Sequence, residues 1–173
     1  RAEMGPAVLL SVGDEFAVSG ADDCQLPLAG VNVQPILAAA IDRLVAAGLP
    51  VDRAADLRGI LVTVADLGAD VLARSRDNQI ILDDDAAGWG WFLESTPADD
   101  EEFTASRAGL LTRSDSNQSI DLLSVLAHEL GHVLGVGDSY ATADRERLMY
   151  GYATIGERRL PFTGQAAGAT PGS

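Results

Sequence analysis

The two histidines of this chain lie four residues apart, inside the segment SVLAHELGHVLGVGDSY (Ser124–Tyr140). On a helix, residues four apart share one face, so His128 and His132 can direct their imidazole rings at one point. This geometry suits two of the four tetrahedral positions around zinc. The alternative is an apolar helix that carries two histidines by chance, and the neighbouring residues favour the metal site.

Two carboxylates could turn this histidine pair into a catalytic site. Glu129 would lie beside the metal but angled away from it, where it could take a proton from a water activated by the metal. Gly135 allows the helix to end in a left-handed turn, and Gly137 allows a second sharp bend. These bends would bring Asp138 back as the third ligand and leave the fourth position open, as in catalytic zinc sites.

The whole motif, HELGHVLGVGD, resembles the zinc-binding signature of the metzincin clan of metalloproteases. Most metzincins have a histidine as third ligand, whereas the snapalysin group has an aspartate. The resemblance implies Zn²⁺ on His128, His132 and Asp138, and hydrolysis of peptide bonds with Glu129 as general base. Because an aspartate lowers the net charge of the metal centre by one, water bound there should be less acidic than in histidine-completed sites.

A methionine further along the chain supports the same resemblance. Met149, within DRERLMYGY, stands where metzincins have the Met-turn, a hydrophobic floor beneath the metal. Some members use a tyrosine two residues after this methionine, but Gly151 occupies that position here, so no such role is assigned to Tyr150 or Tyr152. The likeness covers roughly Pro27–Pro161, and it is to snapalysin-like and matrixin-like domains of large secreted bacterial proteins.

The elements that must position these residues can be predicted from turn residues and apolar spacing. A proline in a first turn, an apolar stripe and a closing glycine predict a helix over Val33–Ala47. Apolar, β-branched runs predict two strands of one sheet, over Gly59–Gly68 and Gln79–Leu82. Before the helix, Ala7–Val12 and Phe16–Ser19 predict either a hairpin or an extended lead-in.

Glycine alternates with large aromatic residues in Ala86–Pro97, as expected of an edge strand with a bulge. By resemblance, the part near Ala87–Phe92 would line the cleft and pair with an extended peptide substrate. Trp89 and Trp91 would lie on one side of such a strand, and core packing is the favoured role for both.

The zinc-bearing helix is predicted to begin near Ser119, a candidate N-cap, with Asp121 in its first turn. The order of elements predicts an α+β domain. By resemblance it is metzincin-like: a small mixed β-sheet with a first helix and a zinc-bearing active-site helix, followed by a mostly irregular lower subdomain with a Met-turn. We expect a lead-in segment at residues 1–26, the catalytic domain at 27–162 and a flexible tail or linker at 163–173.

Two other groups have a metal-related alternative. Asp83, Asp84 and Asp85 could hold Ca²⁺, which favours clustered carboxylates, but a solvated strand end is the preferred interpretation. Cys24 precedes the first helix, where matrixin-like zymogens carry a cysteine that blocks zinc. The residues around Cys24 do not match that motif, so a partly buried small hydrophobe is favoured.

The composition limits the partners of the chain. A formal charge of −14 disfavours nucleic acid and anionic membranes. No segment reaches the length of a membrane-spanning helix, and no signal peptide is recognised. The expected partner is a protein or peptide substrate and the expected state is a monomer. By resemblance, the domain would belong to a larger secreted or cell-surface bacterial protein. An alternative function is a non-catalytic, metal-stabilised module of such a protein.

Overall fold

The computed structural model describes residues 7–11, 15–16, 28–68, 71–107, 109–114 and 118–161. These ranges contain three α-helices: α1 (Gln34–Ala46), α2 (Val51–Leu57) and α3 (Leu122–Val133). They also contain eleven strands: β1 (Ala7–Ser11), β2 (Glu15–Phe16), β3 (Leu61–Ala65), β4 (Ala73–Arg76), β5 (Gln79–Asp83), β6 (Trp91–Phe92), β7 (Phe103–Arg107), β8 (Leu110–Arg113), β9 (Ile120–Asp121), β10 (Tyr152–Thr154) and β11 (Glu157–Arg159). Cys24 and the predicted tail at 163–173 lie outside the described residues.

A six-stranded mixed sheet forms the main layer, with the strand order β10-β1-β2-β4-β5-β3. β3 and β5 run parallel, with Leu61 opposite Gln79, and they are the two strands that the sequence predicts in one sheet. β4 was not predicted; it pairs antiparallel with β5 across a turn in which Asp77 has φ = 54°. β1 and β2 pair antiparallel, with Leu10 opposite Phe16, so of the two predicted alternatives, a hairpin or an extended lead-in, the structure has the hairpin.

Helix α1 packs against α3, and α3 also packs on β4. Apolar residues recur at helical spacing in α1, so one stripe of the helix is buried: Ile36, Leu37, Ala39, Ala40, Ile41 and Leu44. Each fully buried leucine or isoleucine contributes about 1.5–3 kcal/mol. The helix begins one residue after the predicted start and ends one residue before the predicted end. Gly48, with φ = 112°, closes it as predicted. This stripe therefore fixes α1 against the helix that carries both histidines.

Two smaller sheets adjoin the start of α3. β6 pairs parallel with β9, and β11, β8 and β7 form an antiparallel sheet. α3 begins directly after β9, and its N-cap is Asp121, whose carboxylate accepts hydrogen bonds from the backbone N–H and the hydroxyl of Ser124. The prediction of Ser119 as N-cap is therefore wrong. Ser119 is buried and accepts a hydrogen bond from Arg113.

The predicted edge strand over Ala86–Pro97 is reduced to two residues, Trp91 and Phe92. The residues before it form a turn, in which positive φ angles occur at Ala86, Ala87, Gly88 and Gly90. Strand β6 pairs with β9 along one of its edges, and the expected pairing of this segment with substrate stays a prediction. The predicted core role of Trp89 and Trp91 is confirmed, since both are buried in the hydrophobic core.

Beyond α3 the described chain is irregular except for a 3₁₀ turn at Thr142–Asp144 and the strands β10 and β11. These strands join the larger sheets, because β10 pairs with β1 and β11 pairs with β8. The segment after α3, predicted as a mostly irregular lower subdomain, is therefore joined to these two sheets. The predicted α+β class is confirmed. None of the helices in the described ranges has the length and apolar character needed to cross a membrane.

Candidate metal centre

Helix α3 carries both histidines, and a Schellman motif fixes the direction in which the chain leaves it. The N–H of Val136 donates to the carbonyl of Gly131, and the N–H of Gly135 donates to the carbonyl of His132. Gly135 has φ = 88°, so the predicted left-handed turn is confirmed. Gly137 does not adopt a positive φ, so the predicted second bend needs no glycine-specific conformation.

The loop after α3 is tied to the turn that contains Met149. The N–H of Ser139 donates to the carbonyl of Met149, and the N–H of Gly151 donates to the carbonyl of Ser139, both at 2.8 Å. His128 fastens the same turn to the helix, because its Nδ1 lies 2.8 Å from the carbonyl oxygen of the residue before Met149. These bonds position Asp138, the neighbour of Ser139, beside the two histidines.

The structure brings the three predicted ligands together. Asp138 Oδ1 lies 3.0 Å from Nε2 of His128 and 3.3 Å from Nε2 of His132. Donor atoms bound to one tetrahedral zinc ion at about 2.0–2.1 Å lie roughly 3.3 Å from one another. The observed spacings therefore fit a single metal ion.

The protonation of the histidines also fits a metal. Nδ1 of His128 meets the Leu148 carbonyl, and Nδ1 of His132 lies 2.9 Å from the Val136 carbonyl. A carbonyl only accepts hydrogen bonds, so each Nδ1 carries a proton and each neutral ring directs its Nε2 lone pair toward Asp138. Three electron pairs then point at one spot, an arrangement that is repulsive until a cation or an added proton occupies it.

A proton and a metal compete for this spot. Burial alone would lower the pKa of His132, but Asp138, with Glu129 nearby, raises that pKa to about 9. Burial alone would raise the pKa of Asp138, but hydrogen bonds and charges from His128 and His132 hold it well below its ordinary value. Asp138 is therefore ionised at neutral pH, and metal binding must displace the proton held on His132.

Glu129, the predicted general base, is only 1% exposed on α3. Burial raises the pKa of its carboxyl group, while the two histidines and the hydroxyl of Ser75 oppose the shift. In the described part of the chain, Glu129 Oε2 has no hydrogen-bond partner. A buried carboxylate with a spare acceptor atom and raised proton affinity is suited to taking a proton. Sequence reasoning missed Ser75, because β4 was not predicted.

Met149 lies against the helix at Gly131. A Cβ atom added to Gly131 would be 2.3 Å from Met149 Sδ, so the absence of a side chain lets the methionine approach the helix backbone. Met149 is also packed against the hydrophobic core. The predicted Met-turn residue is therefore in contact with the histidine-bearing helix, one residue before His132.

Tyr140 is a neighbour of the site that the sequence analysis did not select. Its hydroxyl donates to Asp138 Oδ2 at 3.4 Å, the oxygen other than the one that faces the histidines. Its ring packs on Gly151, where an added Cβ would lie 2.2 Å from Tyr140 Cε1. Any side chain at Gly151 would therefore displace Tyr140. The position of Tyr140, two residues after Asp138 in the sequence, was the signal from which this contact could have been predicted.

The predicted solvated strand end is wrong for Asp83, the last residue of β5, whereas Asp84 is half-buried and Asp85 is exposed. Asp83 is 1% exposed, and its carboxylate accepts the backbone N–H groups of Leu67 and Ala87 at 2.8 and 2.7 Å. Burial, which outweighs these hydrogen bonds, raises its pKa to about 6. Asp83 does lie near Asp66 and Asp84, in a group that could hold a metal. Because backbone donors already engage both Asp83 oxygens, the calcium expectation gains no support.

A buried ion cluster, not predicted from the sequence, holds the start of α3. Arg158 is fully buried and donates to both carboxylate oxygens of the N-cap Asp121, at 3.0 and 2.8 Å. It also pairs with Glu94 and Asp100, and its guanidinium lies over the Phe103 ring. A buried charge is tolerated only when its partners are in place. The cluster therefore fixes the end of α3 opposite the Schellman motif.

An α+β fold that gathers two helix-borne histidines and an aspartate around one point defines a candidate metal-dependent domain. The family model of the matrixins, peptidase family M10, matches residues 69–163, more than half of the chain. The chain therefore belongs to the matrixin family. Membership indicates a zinc metallopeptidase, since matrixins bind zinc. No curated protein and no solved structure matches this chain.

Proposed function

We propose that this domain is a zinc-dependent endopeptidase with His128, His132 and Asp138 as metal ligands. The observation that carries the proposal is the convergence of two Nε2 atoms on Asp138 Oδ1 within 3.3 Å, with both Nδ1 atoms facing carbonyls. Such second partners fix the tautomer that a metal needs. Three protein ligands of the nitrogen and carboxylate type, with a fourth position open, are characteristic of catalytic zinc sites.

Each residue has a separate task in hydrolysis. Zinc, when bound, would polarise the scissile carbonyl and make a water molecule more acidic. Glu129 takes a proton from the attacking water and delivers it to the leaving amine, for which its buried, unengaged Oε2 is suited. Tyr140 holds the outer oxygen of Asp138. Met149 provides an apolar floor against the helix.

The proposal extends to the setting of the domain. Its substrates would be proteins or peptides, because matrixins are peptidases. A monomeric unit within a larger secreted or cell-surface bacterial protein is the setting that the zinc motif implies by resemblance. The formal charge of −14 makes nucleic acid and anionic membranes poor partners.

A digest of a peptide library with and without a chelator tests the activity. We expect cleavage products that vanish on chelation and return when Zn²⁺ is restored to the metal-free protein. Circular dichroism of the metal-free protein distinguishes loss of metal from loss of fold. If the zinc-loaded chain gives no chelator-sensitive product, the domain is a non-catalytic, metal-stabilised module.

A further inference from the structure

A small cavity lies beside the candidate metal centre, between α3 and the strands β10 and β11. Its volume is about 20 Å³, and its walls include the proposed ligand His128 as well as Thr154 and Arg159. Ser124 is a further wall residue, and it shares a face of α3 with His128, four residues away. A substrate side chain next to a peptide bond held at the metal is therefore within reach of this cavity.

Arg159 is fixed at the wall of this cavity by its neighbours. Its backbone N–H donates to the Ser124 hydroxyl at 2.8 Å, which places β11 one helical turn from His128. Its guanidinium donates to the Tyr152 carbonyl and, at 3.4 Å, to the Thr154 hydroxyl. The residue is 5% exposed, and its Nε has no hydrogen-bond partner in the described part of the chain. Arg159 thus keeps a spare buried donor beside the site.

The positive charge of Arg159 is only partly balanced. Among the described residues, Glu157 places one carboxylate oxygen 3.7 Å from Arg159 Nη2 and the other 3.4 Å from Arg145 Nη2. One carboxylate therefore serves two guanidinium groups, and one positive charge is in excess. In line with this, burial, assisted by the charge of Arg145 and opposed by that of Glu157, lowers the pKa of Arg159 to about 10.

The second carboxylate on the cavity wall does not change this balance. Asp121 accepts hydrogen bonds from Arg158 through both of its oxygens, at 3.0 and 2.8 Å, and so already has a cation of its own. An anion that enters the cavity would meet the partly balanced guanidinium in a largely desolvated position, where charge-assisted hydrogen bonds are strong.

We propose that Arg159 is a specificity-determining residue that favours substrates with an aspartate next to the scissile bond. This inference rests on the proposed function. A cavity needs roughly 10–15 Å³ to hold one water molecule, so about 20 Å³ leaves room for a carboxylate on a short side chain but not for a leucine or phenylalanine side chain. Aspartate has the shortest acidic side chain, and its carboxylate can accept hydrogen bonds from the guanidinium.

Paired fluorogenic peptides test this preference. A digest of a peptide library by the zinc-loaded chain first shows on which side of the scissile bond aspartate is enriched. Two peptides that differ only by Asp or Asn at that position are then compared, because asparagine has nearly the same shape without the charge. We expect kcat/KM of the parent chain to be about 10–100-fold higher for the aspartate peptide, the range for a hydrogen bond to a charged group.

Variants of Arg159 connect this preference to the guanidinium. In Arg159→Met, which removes the charge, the ratio of kcat/KM for the two peptides should fall to about one, whereas Arg159→Lys, which keeps the charge without the planar fork, should retain part of it. Arg58→Met removes an exposed arginine of α2's C-terminal end and is the matched control, with the parental ratio expected. Both peptides are cleaved by the same sample, so the ratio does not depend on how much of a variant is folded.

The absence of aspartate enrichment in the library digest, or a ratio near one in the parent chain, would overturn the inference. A parental ratio in Arg159→Met would overturn it as well, because the preference would then have another source.

Binding of peptide hydroxamates separates the two proposals. A hydroxamate ligates zinc without being hydrolysed, so the ratio of Kd values for an aspartate and an asparagine compound reports recognition alone. At least about tenfold tighter binding of the aspartate compound, lost in Arg159→Met, without any peptide hydrolysis supports the role of Arg159 and refutes the peptidase. Chelator-sensitive hydrolysis with no aspartate preference in either measurement supports the peptidase and refutes the role of Arg159.

Discussion

At the residue scale, the proposed metal site depends on Asp138 to add a third ligand to the histidine pair. Its Oδ1 faces both Nε2 atoms, whereas the exposed Asp77 makes no contact with the site and has a side chain that is 95% exposed. We expect Asp138→Ala to weaken zinc binding by about 100-fold or more. Loss of a group that only hydrogen-bonds to a metal ligand already costs about 10–100-fold, and loss of the ligand itself should cost at least as much. Competition with a chromophoric chelator measures this affinity, and Asp77→Ala is the control. Parental affinity in Asp138→Ala would place the third ligand elsewhere.

The contact between Gly131 and Met149 gives a second prediction at this scale. Gly131→Ala would bring a Cβ atom to 2.3 Å from Met149 Sδ, so the methionine must move. Overpacking of this kind costs about 1–3 kcal/mol in the free energy of unfolding, which urea denaturation measures. Gly137→Ala is the matched control, since its Cβ would meet nothing within 4 Å. Equal effects of the two substitutions would show that Met149 does not press on the helix.

The convergence of the proposed ligands could be predicted from the sequence because local geometry brings these residues together. Helical spacing aligns His128 with His132, and Gly135 permits the turn that returns the chain. The contributions of Ser75 and Tyr140 could not be predicted in the same way. They depend on the pairing of β4 and on the contact of Tyr140 with Gly151, which are properties of the folded chain.

At the scale of elements, α3 is held at its start by an N-cap that is also half of an ion pair. Asp121→Ala removes the acceptor for Ser124 and leaves the fully buried Arg158 without its two-pronged partner. Breaking a buried pair costs about 3–5 kcal/mol. Urea unfolding should show this loss, and Asp121→Ala combined with Arg158→Met should recover part of it.

The exposed Asp52, in the first turn of α2, provides the control for that measurement. Asp52→Ala should change the free energy of unfolding by less than about 1 kcal/mol, as exposed substitutions usually do. If Asp121→Ala lowered the free energy of unfolding by no more than Asp52→Ala does, the buried pair would contribute little to holding α3 in place.

The elements with a strong repeating pattern were predicted, and those fixed by tertiary contacts were not. The apolar stripe of α1 and the β-branched runs of β3 and β5 mark them locally. In contrast, the turn before β6 places Ala86 and Ala87 at positive φ, which their residue type disfavours. The carboxylate of Asp83 holds this turn through the N–H of Ala87, a contact that no propensity reveals.

At the scale of the whole molecule, buried carboxyl groups make stability depend on pH. Burial and a hydrogen bond with Glu102 raise the pKa of Glu94 to about 7, against the opposing charge of Arg158. Because the folded-state pKa exceeds the ordinary value of 4.5, the proton stabilises the folded state. This stabilisation is complete below the ordinary value and is lost as the pH rises through about 7.

Glu94→Gln, which cannot ionise, should therefore reduce the fall in stability across that range and be more stable than the parent chain at about pH 8. Urea unfolding over a pH series measures the effect, and Glu101→Gln, at an exposed position, is the control. Burial raises the pKa of Asp83 to about 6, so the stability of the Glu94→Gln protein should still fall somewhat as the pH rises. A slope identical to that of the parent chain would show that Glu94 is not the titrating group.

The central claim is that the domain hydrolyses peptides at a zinc centre with Glu129 as general base. The most direct test is zinc content and peptide hydrolysis measured on the same samples of the zinc-loaded chain, with and without Glu129→Gln. We predict one zinc per chain in both, and a loss of hydrolysis of about 10²–10⁴-fold in the Glu129→Gln protein, because general-base catalysis contributes about that much. Equal hydrolysis by both zinc-loaded proteins would contradict the claim.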